Sequence, residues 1–304
     1  MPNTFRHRLL TTATVACFAV SGRLLPNAKP NALLVTARPG SQARFYHSPR
    51  FTTFSTAQSA MASLDLRSVE KVVQGQKMME GAGKMEHRDS CGNQGLIEDG
   101  GVQWMTAGRG IIHSEMPVVT QGDLWGFQLW INLPKKDKMT PPQYQDYQSA
   151  EIPVVDTKDS RVRVMAGKAQ GATGPIFMRN PGMLLDVTVK PGGTFEQQIP
   201  AEFNAFAYVC DGSGKLSGTA AKAEQTLVLG PGDRIQATTS AEAGFRFLLA
   251  AGKPIGEPIV QHGPFVMNTQ DEIMQAFDDY QRGRLQNPGD NPWRATPSSQ
   301  PVAA

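Results

Sequence analysis

From Asp65 onward the chain is written in short runs of Val, Ile, Leu and aromatic residues, each cut off within a few positions by Gly, Pro, Asp or Asn. Such punctuation leaves little room for helices and prescribes strands joined by turns. The runs Val102 to Met105, Phe127 to Leu133, Val162 to Ala166, Met183 to Val189, Ala205 to Val209, Thr226 to Leu229 and Phe245 to Ala250 are read as strands. Phe127-Gln128-Leu129-Trp130-Ile131-Asn132 alternates apolar with polar or amphipathic residues, the period of a strand with one buried face. One helix is predicted, Gln270 to Tyr280, capped by Asn268 or Thr269. Asp271 and Glu272 sit in its first turn, and Ile273, Ala276, Phe277 and Tyr280 recur at helical spacing. The body is therefore all-β with a closing C-terminal helix.

The body also repeats once. A strand, a Gly-containing turn, a strand, an acidic Gly turn and a further strand run through Phe206 to Val209, Asp211-Gly212, Lys215-Leu216, Leu229 to Asp233 and Ile235. The same order runs through Glu80 to Gly83, Lys84-Met85, Ile97 to Gly101 and Val102. Turns of this kind suit the corners of small jelly-roll barrels, which hide their strand edges by closing up. Two barrels in tandem are expected, with the polar stretch Gln143 to Lys158 as the crossover. The expected division is a leader over 1–64, a first barrel over 65–150, a second over 151–286 and a Pro/Ser/Ala-rich flexible tail over 287–304.

The charges are unevenly spread. The chain of 304 residues carries 30 Lys and Arg against 27 Asp and Glu, yet seven of the basic residues and none of the acidic ones fall in residues 1–64. The body is therefore acidic on balance, and direct nucleic-acid binding has no electrostatic basis. The acid-free, Arg- and Ser-rich leader has the composition of a mitochondrial transit peptide. A secretory signal around Arg6 to Val20 and a plastid address are the competing readings. A start at Met61 would instead leave the protein in cytoplasm or nucleus. No apolar run reaches the eighteen or so residues of a spanning helix, so no membrane association is expected. Cys91 and Cys210 lack Cys-x-x-Cys spacing and read as reduced thiols.

Beyond the leader the histidines are His87, His113 and His262. His113 and Glu115 lie two apart, which on a strand sets both on one face. An imidazole beside a carboxylate suits a divalent metal such as non-haem iron. The other reading has His113 bonding a core carboxylate and Glu115 a surface arginine. Two ligands fall short of the three or four of a tight site. Gly108-Arg109-Gly110 reads as a turn leading into a strand rather than a dinucleotide loop. Trp104, Trp125 and Trp130 read as core or pocket lining, and His262 as a hydrogen-bonded loop residue.

Longer blocks carry a resemblance: Glu86 to Ser90, Asp99 to Pro117, Gly126 to Pro134, Met139 to Tyr144, Asn204 to Tyr208 and Pro254 to Gln270. Together, over about Val69 to Gly283, they resemble the pirin family of the cupin superfamily. The resemblance implies two stacked cupin (jelly-roll) barrels, the first holding one metal, usually Fe(2+), on three histidines and a glutamate. It implies a quercetin 2,3-dioxygenase acting on a small flavonol-like aromatic or, alternatively, a non-catalytic, metal-linked co-regulator of transcription factors that binds a protein partner. His113 and Glu115 match the later His-x-Glu of the ligand set, and Glu115 would double as the base that takes the substrate's hydroxyl proton. A monomer is expected.

The chain departs from that pattern at one place. Pirins carry a His-Pro-His-Arg-Gly-Phe-Glu block ahead of Glu86-His87-Arg88-Asp89, and no His-x-His occurs anywhere here. Gly81-Ala82-Gly83 runs directly into Lys84, so a segment of several strands is expected to be absent between Gly83 and Lys84. The first barrel is then incomplete and short of two ligands, through a skipped exon in the gene model or a truncated isoform. His87 matches a family position outside the ligand set.

Overall fold

The structure, a computed structural model, describes residues 8–10, 13–19, 67, 69–74, 83–119 and 126–285. In chain order the strands are β1 (Arg8–Leu10), β2 (Ala13–Ala19), β3 (Val69–Gln74), β4 (Gly83–Asp89), β5 (Gln94–Ile97), β6 (Val102–Thr106), β7 (Ile111–Val119), β8 (Gly126–Asn132), β9 (Gln143–Tyr147), β10 (Val154–Asp156) and β11 (Ser160–Ala166). They continue as β12 (Lys168–Ala169), β13 (Ala172–Thr173), β14 (Gly182–Val189), β15 (Thr194–Gln198), β16 (Asn204–Leu216), β17 (Thr219–Lys222), β18 (Gln225–Leu229), β19 (Arg234–Thr238), β20 (Phe245–Gly252), β21 (Val260–His262) and β22 (Phe265–Met267). One helix, α1 (Gln270–Gln281), follows. All seven runs read from the sequence as strands lie within or overlap these strands, and the all-β class with a closing helix holds.

Two four-stranded sheets build the first barrel. One has the order β1-β7-β4-β5 and the other β8-β2-β6-β9. The second barrel is built on the sheet β10-β11-β14-β20-β16-β18-β3, with β15 pairing β19 alongside. Its centre is largely apolar, with Val164, Leu185, Val187, Phe195, Phe245 and Phe247 buried together. A second apolar layer joins the barrels: Val102 and Trp104 of β6 pack with Met165, Leu184, Tyr208 and Leu248. A buried ion pair lies at the same junction. Asp186 holds Arg246 through two bonds, 3.0 and 2.7 Å, and faces Arg163 at 3.6 Å, while Arg163 donates to the Gly100 carbonyl of the first barrel.

Segments of the chain are exchanged between the barrels. β3 lies in sequence between β2 and β4 of the first barrel yet pairs antiparallel with β18 of the second, Val72 opposite Leu227. Arg67 is buried beside it, its guanidinium donating to the carbonyls of Gly230, Pro200 and Ala201. In return, the segment after β20 reaches the first barrel: buried Lys138 donates to Asn132 Oδ1 (2.6 Å) and to the Val266 carbonyl, and Glu257 accepts the Lys135 amide.

Several details differ from the sequence reading. The crossover expected over Gln143 to Lys158 is shorter, because Gln143–Tyr147 is strand β9 of the first barrel. None of its residues is fully buried, but Tyr144 and Asp146 both approach His87 of the facing sheet. Thr269 caps α1, its hydroxyl accepting the Glu272 amide while the Glu272 carboxylate accepts the Thr269 amide. Ile273 and Ala276 are buried as expected, but Tyr280 is exposed, one turn beyond the hairpin that covers the helix. Trp104 is buried and Trp130 exposed, since β8 forms the edge of its sheet. Trp125 and the tail 287–304 lie outside the described residues, as does most of the 1–64 leader. Where the leader is described, β1 pairs β7 and β2 lies between β6 and β8.

Candidate functional site

Strand β7 is launched by the turn Gly108-Arg109-Gly110. Gly108 has φ +54, and a Cβ there would lie 2.0 Å from the Thr140 carbonyl oxygen, so only glycine fits the approach. The Arg109 amide donates to that carbonyl and the Ser90 hydroxyl accepts the Ile112 amide, fixing how β7 enters the barrel.

On β7, His113 and Glu115 project to one face. The register with β4 sets His87 directly opposite Glu115 and Asp89 opposite His113. Opposed residues of an antiparallel pair share a face, so four titratable side chains line the inside of this sheet. His87, Asp89 and His113 are buried, and Glu115 is half-buried.

The facing sheet answers with polar groups. Gln128 of β8 donates its side-chain amide to Glu115 Oε2 at 3.3 Å. Tyr144 of β9 stacks on His87, ring centres 5.9 Å apart and planes 20° off parallel. Asp146 lies 3.5 Å from His87 Nε2. Gly95 on β5 makes room for that imidazole, for a Cβ there would be 2.3 Å from Nε2. His87 Nδ1 and Gln103 Nε2 are buried with no hydrogen-bond partner among the described residues. Burial, with the neighbouring Asp89 carboxylate next in effect, pushes the Tyr144 phenol above its ordinary range, so Tyr144 is neutral at physiological pH.

The first barrel is thus polar where the second is apolar, and a buried polar face is costly unless it is used. Asp89 is committed to the β4–β5 turn, accepting the Cys91 amide and both the backbone and side-chain nitrogens of Asn93. His87 leans toward β9 rather than toward His113. Among the described residues no group of three or more His, Cys, Asp and Glu is placed to hold one metal ion. The structure therefore brings His113 and Glu115 together on one face and adds no third donor to them. His262 is exposed at the end of β21, edge-on to Phe277 at 5.1 Å, away from this face. Cys91 is exposed and Cys210 is buried.

Sequence reasoning missed Gln103, Gln128, Tyr144 and Asp146. The signal was present: Gln103 lies between Val102 and Trp104, and Gln128 between Phe127 and Leu129. In each case the apolar neighbours face the second barrel and the glutamine faces inward.

Two joined barrels of curled β-sheet, the first polar within and the second filled by apolar side chains, define a two-barrel cupin-type protein. Pattern and fold agree on which one: the chain belongs to the pirin family. The Pirin family model matches residues 76–131 and the Pirin C-terminal cupin domain model residues 184–286. A pirin-like protein of Solanum lycopersicum is 47% identical over 210 residues, 68% of this chain and 71% of that protein. Pirin of Homo sapiens is 40% identical over 211 residues, 68% of this chain and 72% of that one. Among solved structures, a quercetin 2,3-dioxygenase from Acinetobacter baumannii is similar with a TM-score of 0.67 at 26% identity, covering 92% of this chain and 78% of that one.

Among the described residues no helix is long and apolar enough to cross a membrane.

Proposed function

We propose that this pirin is a quercetin 2,3-dioxygenase-type oxidoreductase whose first barrel receives a small flavonol-like aromatic. The observation that carries the reading is the inward face of β7 and β8, where Gln128 holds the Glu115 carboxylate beside buried His113. Likeness to the Acinetobacter baumannii dioxygenase supports it. Glu115 takes the proton of the aromatic hydroxyl, the half-buried carboxylate being the accessible base of the set. Tyr144, stacked on His87, places an aromatic ring on the same inner face.

The metal of this chemistry is Fe(2+) in the family reading, with His113 and Glu115 as its donors. One imidazole and one carboxylate fall short of the three or four donors of a tight site, and the committed Asp89 does not make up the number. The residues described do not fit a full metal centre.

That shortfall favours a second reading from another class, a non-catalytic binding protein that meets a protein partner. Metal analysis of the purified full chain, with oxygen uptake in the presence of quercetin, separates the two. Stoichiometric metal with quercetin-dependent oxygen uptake establishes the first reading. No uptake with iron supplied, while quercetin still binds, overturns the first and leaves the second. A transcript encoding a His-x-His segment between Gly83 and Lys84 would supply the remaining donors.

A further inference from the structure

Strands β6 and β8 of the first barrel do not pair with each other. Between them runs β2, antiparallel to both: Ala13 to Ala19 pair with Asn132 to Gly126 on one side, and Thr14 to Phe18 with Thr106 to Val102 on the other. In the sheet order β8-β2-β6-β9, β8 has no other neighbour among the described residues. Just ahead of it β1 adds to the facing sheet, Arg8 opposite His113 and Leu10 opposite Ile111. One short N-terminal stretch therefore contributes a strand to each sheet of the barrel that holds the candidate site.

The sequence of this stretch suits such a place. An inserted strand is covered on both faces and tolerates no charge, and Leu9 to Gly22 contains none between Arg8 and Arg23. By register, positions 14, 16 and 18 share the face of Val102, Trp104, Phe127 and Leu129, which is the packed junction with the second barrel. Positions 15 and 17 share the face of Met105, Gln103 and Gln128, the inside of the first barrel. Without β2, both β6 and β8 would present an unpaired edge, the arrangement soluble sheets avoid.

We infer that Ala13–Ala19 is a resident strand of the first barrel, a built-in donor strand that occupies the slot between β6 and β8 and keeps β8 in the sheet. Gln128 rides on β8, so the contact between Gln128 and Glu115 depends on this strand. The role is at odds with a discarded organelle address: processing that carries residues 1–64 away opens the slot and releases β8. The inference rests on backbone pairing and stands whether or not the barrel is a dioxygenase.

The register itself supplies the test, because Cys17 lies directly opposite Gln128 and Ala16 opposite Leu129. Opposed positions have Cβ atoms about 4.5–5.5 Å apart, near the reach of a disulfide. In the full chain carrying Gln128→Cys, mild oxidation should join Cys17 to the new cysteine. Mass spectrometry would find the tryptic peptide Leu9 to Arg23 linked to the peptide bearing position 128. Leu129→Cys, one step out of register and on the other face, should leave Cys17 free. Hydrogen exchange on the unaltered full chain gives an independent reading, with amides 14 to 18 exchanging roughly tenfold or more slower than an open coil. A free Cys17 in the folded Gln128→Cys chain overturns the inference. So does equal linkage in both variants, or exchange of these amides at coil rates, which also decides the matter should Gln128→Cys not fold.

Discussion

Gln128 and Glu115 meet across the first barrel, the amide of one sheet donating to the carboxylate of the other at 3.3 Å. The contact orients the proposed base from the side opposite its own strand. Replacing Gln128 by Ala should lower quercetin-dependent oxygen uptake about tenfold, the effect of losing roughly 1.5 kcal/mol of a hydrogen bond to a charged acceptor. Gln128→Glu should do more. A second carboxylate raises the pKa of the first, so activity that needs ionised Glu115 moves to higher pH. A pH profile unchanged in Gln128→Glu would remove Gln128 from the site.

At the junction of the barrels, Asp186 balances two arginines in a buried setting. Asp186→Ala leaves Arg163 and Arg246 without their shared counter-ion and should cost about 3–5 kcal/mol, read as a lowered midpoint of urea denaturation. Replacing Asp186 together with both arginines by apolar residues of similar size should cost far less than the single change, since removing every partner leaves no uncompensated charge.

Burial pushes the Cys210 thiol above its ordinary range, and burial does the same to the Tyr208 phenol. In the unfolded chain these groups ionise at ordinary values, so above about pH 8.5 the unfolded state has lost a proton that the folded state keeps. Stability is therefore full below that pH and should fall by about 1.4 kcal/mol per pH unit for the thiol as pH rises further. Cys210→Ala should flatten the decline between roughly pH 8.5 and 10, before the phenols contribute. Urea midpoints measured across that range in both proteins give the comparison. Exposed Cys91 should react with iodoacetamide in the native protein while Cys210 stays unmodified.

Gly108→Ala meets two obstacles, a φ of +54 and a Cβ 2.0 Å from the Thr140 carbonyl oxygen. The turn must open, at a cost of about 1–3 kcal/mol, and the start of β7 moves with it. Calorimetry should show the loss in stability. Oxygen uptake should fall as well, because His113 lies only two residues beyond Ile111, where β7 begins.

The elements most faithful to the sequence are those whose pattern follows from one environment. Gln270–Gln281 carries its own cap and apolar stripe, and Phe245–Gly252 is apolar apart from Arg246 because both faces are covered, as the burial of Phe245, Phe247 and Leu249 in one layer and Leu248 in the other shows. Strand β9 was harder to read. Its inward residues, Tyr144 and Asp146, are polar because the chamber is polar, so it carries the alternation of a surface segment. The pairing of His113 with Glu115 is readable from their spacing. The opposition of His87 to Glu115 is not, since register depends on how the β4–β7 connection closes. Nor does composition reveal that β3 belongs with β18, because a strand's partner is a matter of topology rather than of residue type.

The exchanged segments set the order in which the molecule can be finished on the ribosome. β3 emerges early, but β18, its partner, is made some 150 residues later, and Lys138 waits for the Val266 carbonyl. At about 5–20 residues per second, that interval is roughly ten to thirty seconds, during which the nascent first barrel lacks its C-terminal clasp and β3 has no sheet to join. Neither half can reach its final form during synthesis by itself, and the chamber around His113 and Glu115 is closed only as the last strands arrive.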